Sequence, residues 1–251
     1  MTLQEFFAEN ARAAIAFSGG VDSSYLLYAA VQCGADVHAY FAKTAFQPQF
    51  ELDDARRLAE SVGAKLTVLE LDALSSEDVA RNPANRCYYC KQNIFGNLKR
   101  AAAEDGFTLI LDGTNASDDA GDRPGMRALR EMDVRSPLRE CGLTKAEIRR
   151  LSHEAGLFTW DKPAYACLAT RISTGTPITK EDLDRVERAE CALETLGFRD
   201  FRVRLFHGAA RLQVTGEQLP LALEKQAELR AALWSDFSDV LLDLAPRTPS
   251  T

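Results

Sequence analysis

A chain of 251 residues, 46% hydrophobic, is long enough to bury a real core and falls between one large domain and two modest ones, so two unequal parts are expected. Its formal charge of -7 opposes a broad nucleic-acid footprint, which normally needs a clustered basic excess, and favours a small-molecule substrate. The opening MTLQEFFAENARAAIAFSGG carries acidic residues where a signal peptide needs positive charge, and no apolar run approaches bilayer-spanning length, so a cytoplasmic protein with no membrane partner is expected.

Apolar runs of strand length alternate with helical patterns from the start: Ala13 to Phe17, Ser23 to Cys33, Val37 to Ala42, Glu51 to Val62, then Leu66 to Leu71. This β-α-β-α-β order predicts an α/β fold, a parallel sheet with helices on both faces. A helical stretch from Tyr89 to Glu104 leads into the strand-like Thr108 to Asp112, and Gly113-Thr114-Asn115 opens an irregular polar loop. Thr144 reads as an N-cap with Glu147 completing a capping box, for a helix that runs to Ala155. After a Pro- and Gly-punctuated stretch come a helix at Lys180 to Leu196, strands at Phe201 to Leu205 and Arg211 to Val214, a helix at Gln218 to Leu233 and a strand at Val240 to Leu242. The order predicts a smaller C-terminal α+β domain with an antiparallel pair. The expected division is 1–170, 171–245 for substrate binding and oligomerisation, and a disordered tail at 246–251.

The strongest local signal is Ser18-Gly19-Gly20-Val21-Asp22-Ser23-Ser24, after a predicted strand and at the opening of a predicted helix. Adjacent glycines let backbone N–H groups approach an anion, and the helix start adds its dipole and unpaired donors. Ser18 and Ser23 offer hydroxyls, and Asp22 can orient the loop or help hold Mg2+. The Lys-Ser/Thr ending of a Walker A loop is missing. The motif resembles the SGGxDS loop of the PP-loop ATP pyrophosphatases, which cleave ATP to AMP and pyrophosphate. That resemblance implies ATP as cofactor, with the adenosine against the end of the second strand near Ala42 to Thr44.

Six cysteines, Cys33, Cys87, Cys90, Cys141, Cys167 and Cys191, are too sparse for a secreted disulfide scaffold, so any cysteine function is metal binding or thiol chemistry. Cys87 and Cys90 form a CxxC at a helix start, where the dipole, Arg86 and Lys91 favour thiolates. The spacing alone fits a redox pair, half of a zinc site, two packed thiols or a shared metal; a zinc site completed by His153 is one alternative. Cys167, in a loop after the sheet units, adds a third thiol, and three thiolates leave one coordination position open. Cys33 and Cys191 read as core residues and Cys141 as structural.

Taken together, SGGVDSSYLL (18–27), NRCYYCK (85–91), DGTNASDDAGDRPGMRA (112–128), SPLRECGLTKAEIRRL (136–151) and TWDKPAYACLATRI (159–172) resemble the LarE family of PP-loop sulfur transferases, which build the nickel-pincer nucleotide. The resemblance implies stepwise conversion of two carboxylates on a pyridinium mononucleotide to thiocarboxylates through acyl adenylates. One type of that family sacrifices the sulfur of a single cysteine, and another binds a [4Fe-4S] cluster through three. Cys167 matches the family cysteine, and Cys87 and Cys90 align the chain with the three-cysteine type, with sulfide or another sulfur donor feeding the cluster. Cys167, Asp22 and Arg171 are then the expected catalytic residues, and Lys91, Gly113 and Arg123 join the phosphate loop as nucleotide contacts. Arg171, Arg202 and Arg204 are expected to converge on the substrate's phosphate and carboxylates, against the plain alternative of a solvated basic face. Glu190 matches a family position associated with a second metal, and an ordinary helix-surface Glu fits it as well. The family also implies a homo-oligomer, with a hexamer among the candidate assemblies. The competing readings are tRNA thiolation, an amide-forming PP-loop synthetase, and a nucleotide sensor without chemistry.

Overall fold

The protein is described by a computed structural model over residues 1–118 and 124–248. The chain forms two compact units, one from Met1–Ala73 and Asn85–Lys162, the other from Leu74–Ala84 and Pro163 onward.

The first unit is a parallel sheet in the order β3-β2-β1-β4, built from β1 (Arg12–Ala16), β2 (Asp36–Lys43), β3 (Lys65–Glu70) and β4 (Ile110–Leu111). Helix α1 (Leu3–Glu9) precedes β1, α2 (Val21–Gln32) and α3 (Gln49–Ser61) make the first two crossovers, and between β3 and β4 the chain forms α4 (Glu77–Ala80), which belongs to the second unit, and then α5 (Arg86–Glu104) of the first. Alternation along the strands separates two cores. Ala13, Ile15, Ala39 and Phe41 pack with Leu26, Leu27, Leu52 and Leu58 on one face, whereas Ala14 and Tyr40 pack with Phe95, Leu98 and Ala102 of α5 on the other. Burial on both faces is why β1 reads RAAIA, with little polar alternation. After β4 come α6 (Pro124–Glu131), α7 (Pro137–Glu140) and α8 (Lys145–Glu154), the last opened by the expected Thr144–Glu147 capping box. Helix α1, itself started by a Thr2–Glu5 capping box, is too short at 7 residues to give a periodic signal.

The topology positions the site. From β1 the chain runs to β2 on one side, and β4 joins β1 on the other, so the carboxyl ends of β1 and β4 flank a switch point where a crevice opens.

The second unit holds α9 (Lys180–Thr195), β5 (Arg202–Phe206), β6 (Ala209–Gln213), α10 (Leu219–Glu224), α11 (Gln226–Leu233) and β7 (Val240–Leu242). β5 and β6 pair antiparallel, and β7 adds parallel to β6. The single helix expected over 218–233 is two, parted at Lys225 with φ -93° and ψ 21°. Val203, Ala210 and Leu212 pack on Ala189, Leu193, Leu229 and Leu233. This unit starts earlier than the boundary expected at 170/171 and takes in residues 74–84. The reason is Asn82, whose left-handed backbone (φ 55°) aims its amide at the carbonyls of Ser173 (2.9 Å) and Thr176 (3.1 Å) while its own carbonyl accepts from Gly175 N (2.8 Å). Of the tail expected to be disordered at 246–251, Arg247 is tied down, its N donating to Val214 O at 2.8 Å and its guanidinium meeting Asp200 at 3.2 Å, and residues 249–251 lie outside the described residues. Among the described residues no helix is long and apolar enough to cross a membrane.

Candidate active site

β1 ends at Ala16 and α2 begins at Val21, leaving residues 17–20 to make a tight turn at the switch point. Gly19 holds the left-handed conformation, φ +71°, and a Cβ there would lie 3.0 Å from Glu51 O and 3.2 Å from Ala55 Cβ on α3. Gly20 is different: it is the N-cap of α2 at an ordinary φ of -79°, and its Cβ would meet only Ser18 Oγ, at 3.4 Å. Gly19 therefore shapes the loop, and Gly20 leaves the helix start bare for an approaching anion. Gly19→Ala is expected to cost about 1–2 kcal/mol of stability by chemical denaturation, the penalty of an L residue in that conformation. Gly20→Ala is expected to leave the unfolding midpoint nearly unchanged while weakening ATP binding in calorimetry. Ser18 Oγ lies 3.0 Å from Ser23 Oγ, which accepts from Ser18 N and donates to Gly20 O, each at 3.3 Å, so the loop is cross-braced by the two hydroxyls expected to serve the phosphates.

Asp22, in the first turn of α2, faces Lys145 Nζ at 2.7 Å through Oδ2. Its Oδ1 is buried without a hydrogen-bond partner among the described residues. Burial pushes the Asp22 carboxyl above the usual range, and the Lys145 charge opposes that. A buried carboxylate oxygen left open beside a phosphate loop is a donor that suits a hard cation, so the residues fit Mg2+. Lys145 is fixed by the start of α8, where its backbone N donates to Ser117 Oγ at 3.0 Å. Lys162 reaches the same loop, with Nζ 2.6 Å from Asp54 Oδ2 and 3.4 Å from Gly19 O. Both lysines were missed in the sequence because they lie 123 and 143 positions from their loop partners.

Across the switch point, the Asp112-Gly113-Thr114 turn follows β4. A Cβ on Gly113 would stand 2.9 Å from Ser23 N and 3.0 Å from Ser23 Cα, so glycine here is what lets the turn lie against the first turn of α2. Asp112 is buried, accepting from Ser136 Oγ at 2.6 Å and from the Thr114 hydroxyl. Between the turns lies a cavity of about 310 Å3, lined by Ser18, Gly20, Asp22, Ser23, Phe41, Ala42, Lys91, Phe95, Leu98, Asp112, Gly113 and Asp118 among others. Its floor is the apolar end of β2 and the side of α5, and its rim is the phosphate loop, an arrangement with room for a purine and anion donors at one end. Of the expected nucleotide contacts, Ser18, Gly20, Asp22, Ser23, Ala42, Lys91 and Gly113 line it, whereas Gly19 and Val21 do not, Val21 being buried in the core of the unit. Arg123 lies outside the described residues. Burial lowers the Lys91 ammonium pKa, with Asp112 and Cys87 acting in the opposite sense.

Cys87 and Cys90 sit at the first turn of α5, Cys87 exposed with Arg86 Nη2 4.0 Å from its sulfur, Cys90 half-buried. All six cysteines are described, and none is in a disulfide. Cys33 and Cys191, expected in the core, are exposed: Cys33 caps the end of α2, and Cys191 lies on the outer face of α9. The CxxC supplies two thiols of the three a cluster would need, and Cys167 belongs to the second unit. Among the described residues no group of three or more His, Cys, Asp or Glu forms a metal site.

Within the second unit Cys167, half-buried, precedes a short 3-10 turn at Leu168–Arg171. Arg171, expected to meet substrate anions, is 1% exposed and paired side-on through one edge with Glu190, Nε to Oε1 and Nη2 to Oε2 each at 2.8 Å. Glu190, expected as a second metal ligand or a surface residue, is 4% exposed, and its oxygens also accept from Val203 N (2.9 Å) and the Tyr165 hydroxyl. The two are buried for the same reason, since a buried guanidinium and a buried carboxylate each need the other, and a helix-surface position for Glu190 is thereby corrected. Arg202 and Arg204 alternate on the face of β5 opposite Val203, as their spacing requires. Arg202 is buried, donates to Phe201 O (2.6 Å) and Ala164 O (2.8 Å), and is pushed down to about 10 by burial and then by Arg171. Arg204 donates to Thr170 O at 2.6 Å and to Gln213.

Residues 8–116 match the family model for asparagine synthase. The chain is 39% identical over 220 residues, 86% of this chain and 81% of the other, to an uncharacterized protein of Synechocystis. It is 36% identical over 205 residues, 81% of this chain and 74% of the other, to the pyridinium-3,5-bisthiocarboxylic acid mononucleotide synthase of Lactiplantibacillus plantarum. More distantly it is 30% identical over 196 residues, 59% of this chain and 47% of the other, to the tRNA-specific 2-thiouridylase MnmA of Rhizobium johnstonii.

Proposed function

Because the chain belongs to the LarE family of PP-loop enzymes, in which its relative is a pyridinium-3,5-bisthiocarboxylic acid mononucleotide synthase, we propose that it converts the two carboxylates of a pyridinium-3,5-biscarboxylate mononucleotide into thiocarboxylates. It is an ATP-using, adenylating sulfur transferase. The observation that carries the reading is the crossing of the phosphate loop and the Asp112-Gly113-Thr114 turn around a nucleotide-sized cavity.

The chemistry follows from the leaving group. A carboxylate oxygen attacks the α-phosphorus of ATP, and pyrophosphate departs toward the Ser18–Ser23 loop, whose N–H groups, hydroxyls and helix start stabilise its charge. Asp22, through its open oxygen, would hold Mg2+, which would neutralise phosphate charge there, and Lys145, already against Asp22, supplies a further positive charge where negative charge accumulates. The acyl adenylate then has AMP as a leaving group, and a sulfur nucleophile adds to its carbonyl and expels it. Cys87, Cys90 and Cys167 would hold a [4Fe-4S] cluster which, when bound, supplies the sulfur; the CxxC at the head of α5 and the cationic surroundings of Cys167 support that donor set. Supplied sulfide is the donor this reading needs, and the assembly is a homo-oligomer, with a hexamer the state to look for.

The test is anaerobic incubation of the purified protein with ATP, Mg2+, the biscarboxylate mononucleotide and sulfide, followed by mass spectrometry. AMP and mono- and bisthiocarboxylate are expected, and iron is expected in wild type and in Cys33→Ser, Cys141→Ser and Cys191→Ser but not in the Cys87→Ala, Cys90→Ala double variant. ADP as product sinks the reading, and sulfur appearing in unmodified tRNA instead of the mononucleotide moves it to the chemistry of the MnmA relatives.

A further inference from the structure

The residues before and at Cys167 are irregular: Pro163 to Cys167 belong to no helix or strand, and although Cys167 O accepts from Thr170 N at 2.9 Å, arginine side chains also hold carbonyls of this stretch. Arg202 Nη2 donates to Ala164 O at 2.8 Å, Arg171 Nη1 to Ala166 O at 2.7 Å and to Cys167 O at 3.5 Å, and Arg204 Nη1 to Thr170 O at 2.6 Å. The Thr170 hydroxyl closes the set, donating to Cys167 O at 2.9 Å while accepting from Arg171 Nη1 at 3.0 Å. The three arginines come from two elements, the 3-10 turn and β5, and converge on one stretch of backbone within the second unit. Tyr165 lies under two of them, its ring centroid 4.6 Å from the Arg171 guanidinium and 5.4 Å from that of Arg202.

Glu190 makes the arrangement rigid. Its bidentate pair with Arg171 fixes the plane of that guanidinium, leaving Nη1 the one terminal nitrogen turned to the Cys167 segment. The same carboxylate ties Arg171 to β5 through Val203 N and to Tyr165 through its hydroxyl.

We propose that Arg171, Arg202 and Arg204, anchored by Glu190, are positioning residues that grip the backbone carbonyls of Ala164, Ala166, Cys167 and Thr170 and so set the direction in which Cys167 presents its thiol. The importance of that direction for turnover rests on the functional reading above, but the grip itself does not. Lysine cannot replace Arg171, because a single ammonium cannot pair bidentately with Glu190 and reach Ala166 O together.

The experiment is peptide-resolved alkylation of the full chain by N-ethylmaleimide under native anaerobic conditions, purified without added iron. Cys33 and Cys191, both exposed, serve as internal references. In Arg171→Lys and Glu190→Gln the rate at Cys167 relative to these references is expected to change severalfold, and amides of residues 164–170 should exchange hydrogen faster than in wild type. Arg204→Met, at a half-buried position, is the variant expected to remain folded, with a smaller change in the same sense. A Cys167 ratio and exchange rates equal to wild type in the folded variants overturn the proposal. Cys167→Ala tests the functional reading separately: unaffected thiocarboxylate formation there would refute the reading and leave the grip standing.

Discussion

Asp22→Ala is expected to lower the conversion of ATP to AMP and pyrophosphate by roughly 10²–10³-fold, the scale of losing one preorganised electrostatic contact at a developing charge. The expectation comes from two facts about the same side chain: one oxygen is held by Lys145 at 2.7 Å, and the other is buried and unpartnered at the mouth of the cavity. Stability should not follow activity. Because burial raises the folded-state pKa of Asp22, the folded protein binds that proton more tightly than the unfolded chain, and the carboxylate's cost to folding appears as pH rises through the unfolded value. Above both values the cost is fully present, so Asp22→Asn at neutral pH should be at least as stable as wild type while remaining inactive. Quantifying AMP by chromatography, with thermal unfolding across pH alongside, checks both statements. Retained turnover in Asp22→Ala would remove this residue from the reaction.

Much of the first unit was legible because its signals are local. Ala13 to Phe17, then Ser18 to Ser24, then Val37 to Ala42 announce a strand, a phosphate loop and a parallel partner within 30 residues, and the Thr144–Glu147 box announces α8 by chemistry confined to one turn. Lys145 and Lys162 were not legible as loop contacts, because a lysine at a helix start or in a turn reads as solvated until the fold carries it to Asp22 or Gly19. In the second unit the positive charge of Arg171, Arg202 and Arg204 is legible in the sequence, whereas their pairing with Glu190 and with backbone carbonyls emerges only when both partners are buried together. Asn82 shows the same limit: nothing around it in sequence indicates that its amide fastens residues 172–176, some 90 positions on.

Cys167 is expected to act as a cluster ligand that is not consumed, and the polypeptide mass after turnover decides the point. Were the residue sacrificed, each chain would deliver one sulfur, its Cα–Cβ would become the double bond of dehydroalanine, and the chain would be lighter by hydrogen sulfide. Turnover would then stop at one equivalent. A ligand predicts the reverse: several equivalents of thiocarboxylate per chain with excess sulfide, and an unchanged mass. The presence of a second and third thiol favours the ligand, because a sacrificial mechanism has no use for Cys87 and Cys90, while three thiolates on a four-iron cluster leave one iron open to an exchangeable sulfide. Intact-protein mass spectrometry after anaerobic reaction with ATP, Mg2+, the mononucleotide and excess sulfide is the measurement. Stoichiometric dehydroalanine at position 167 overturns the ligand role and leaves the family membership untouched, whereas an unchanged mass with more than one sulfur delivered per chain requires that the sulfur come from elsewhere.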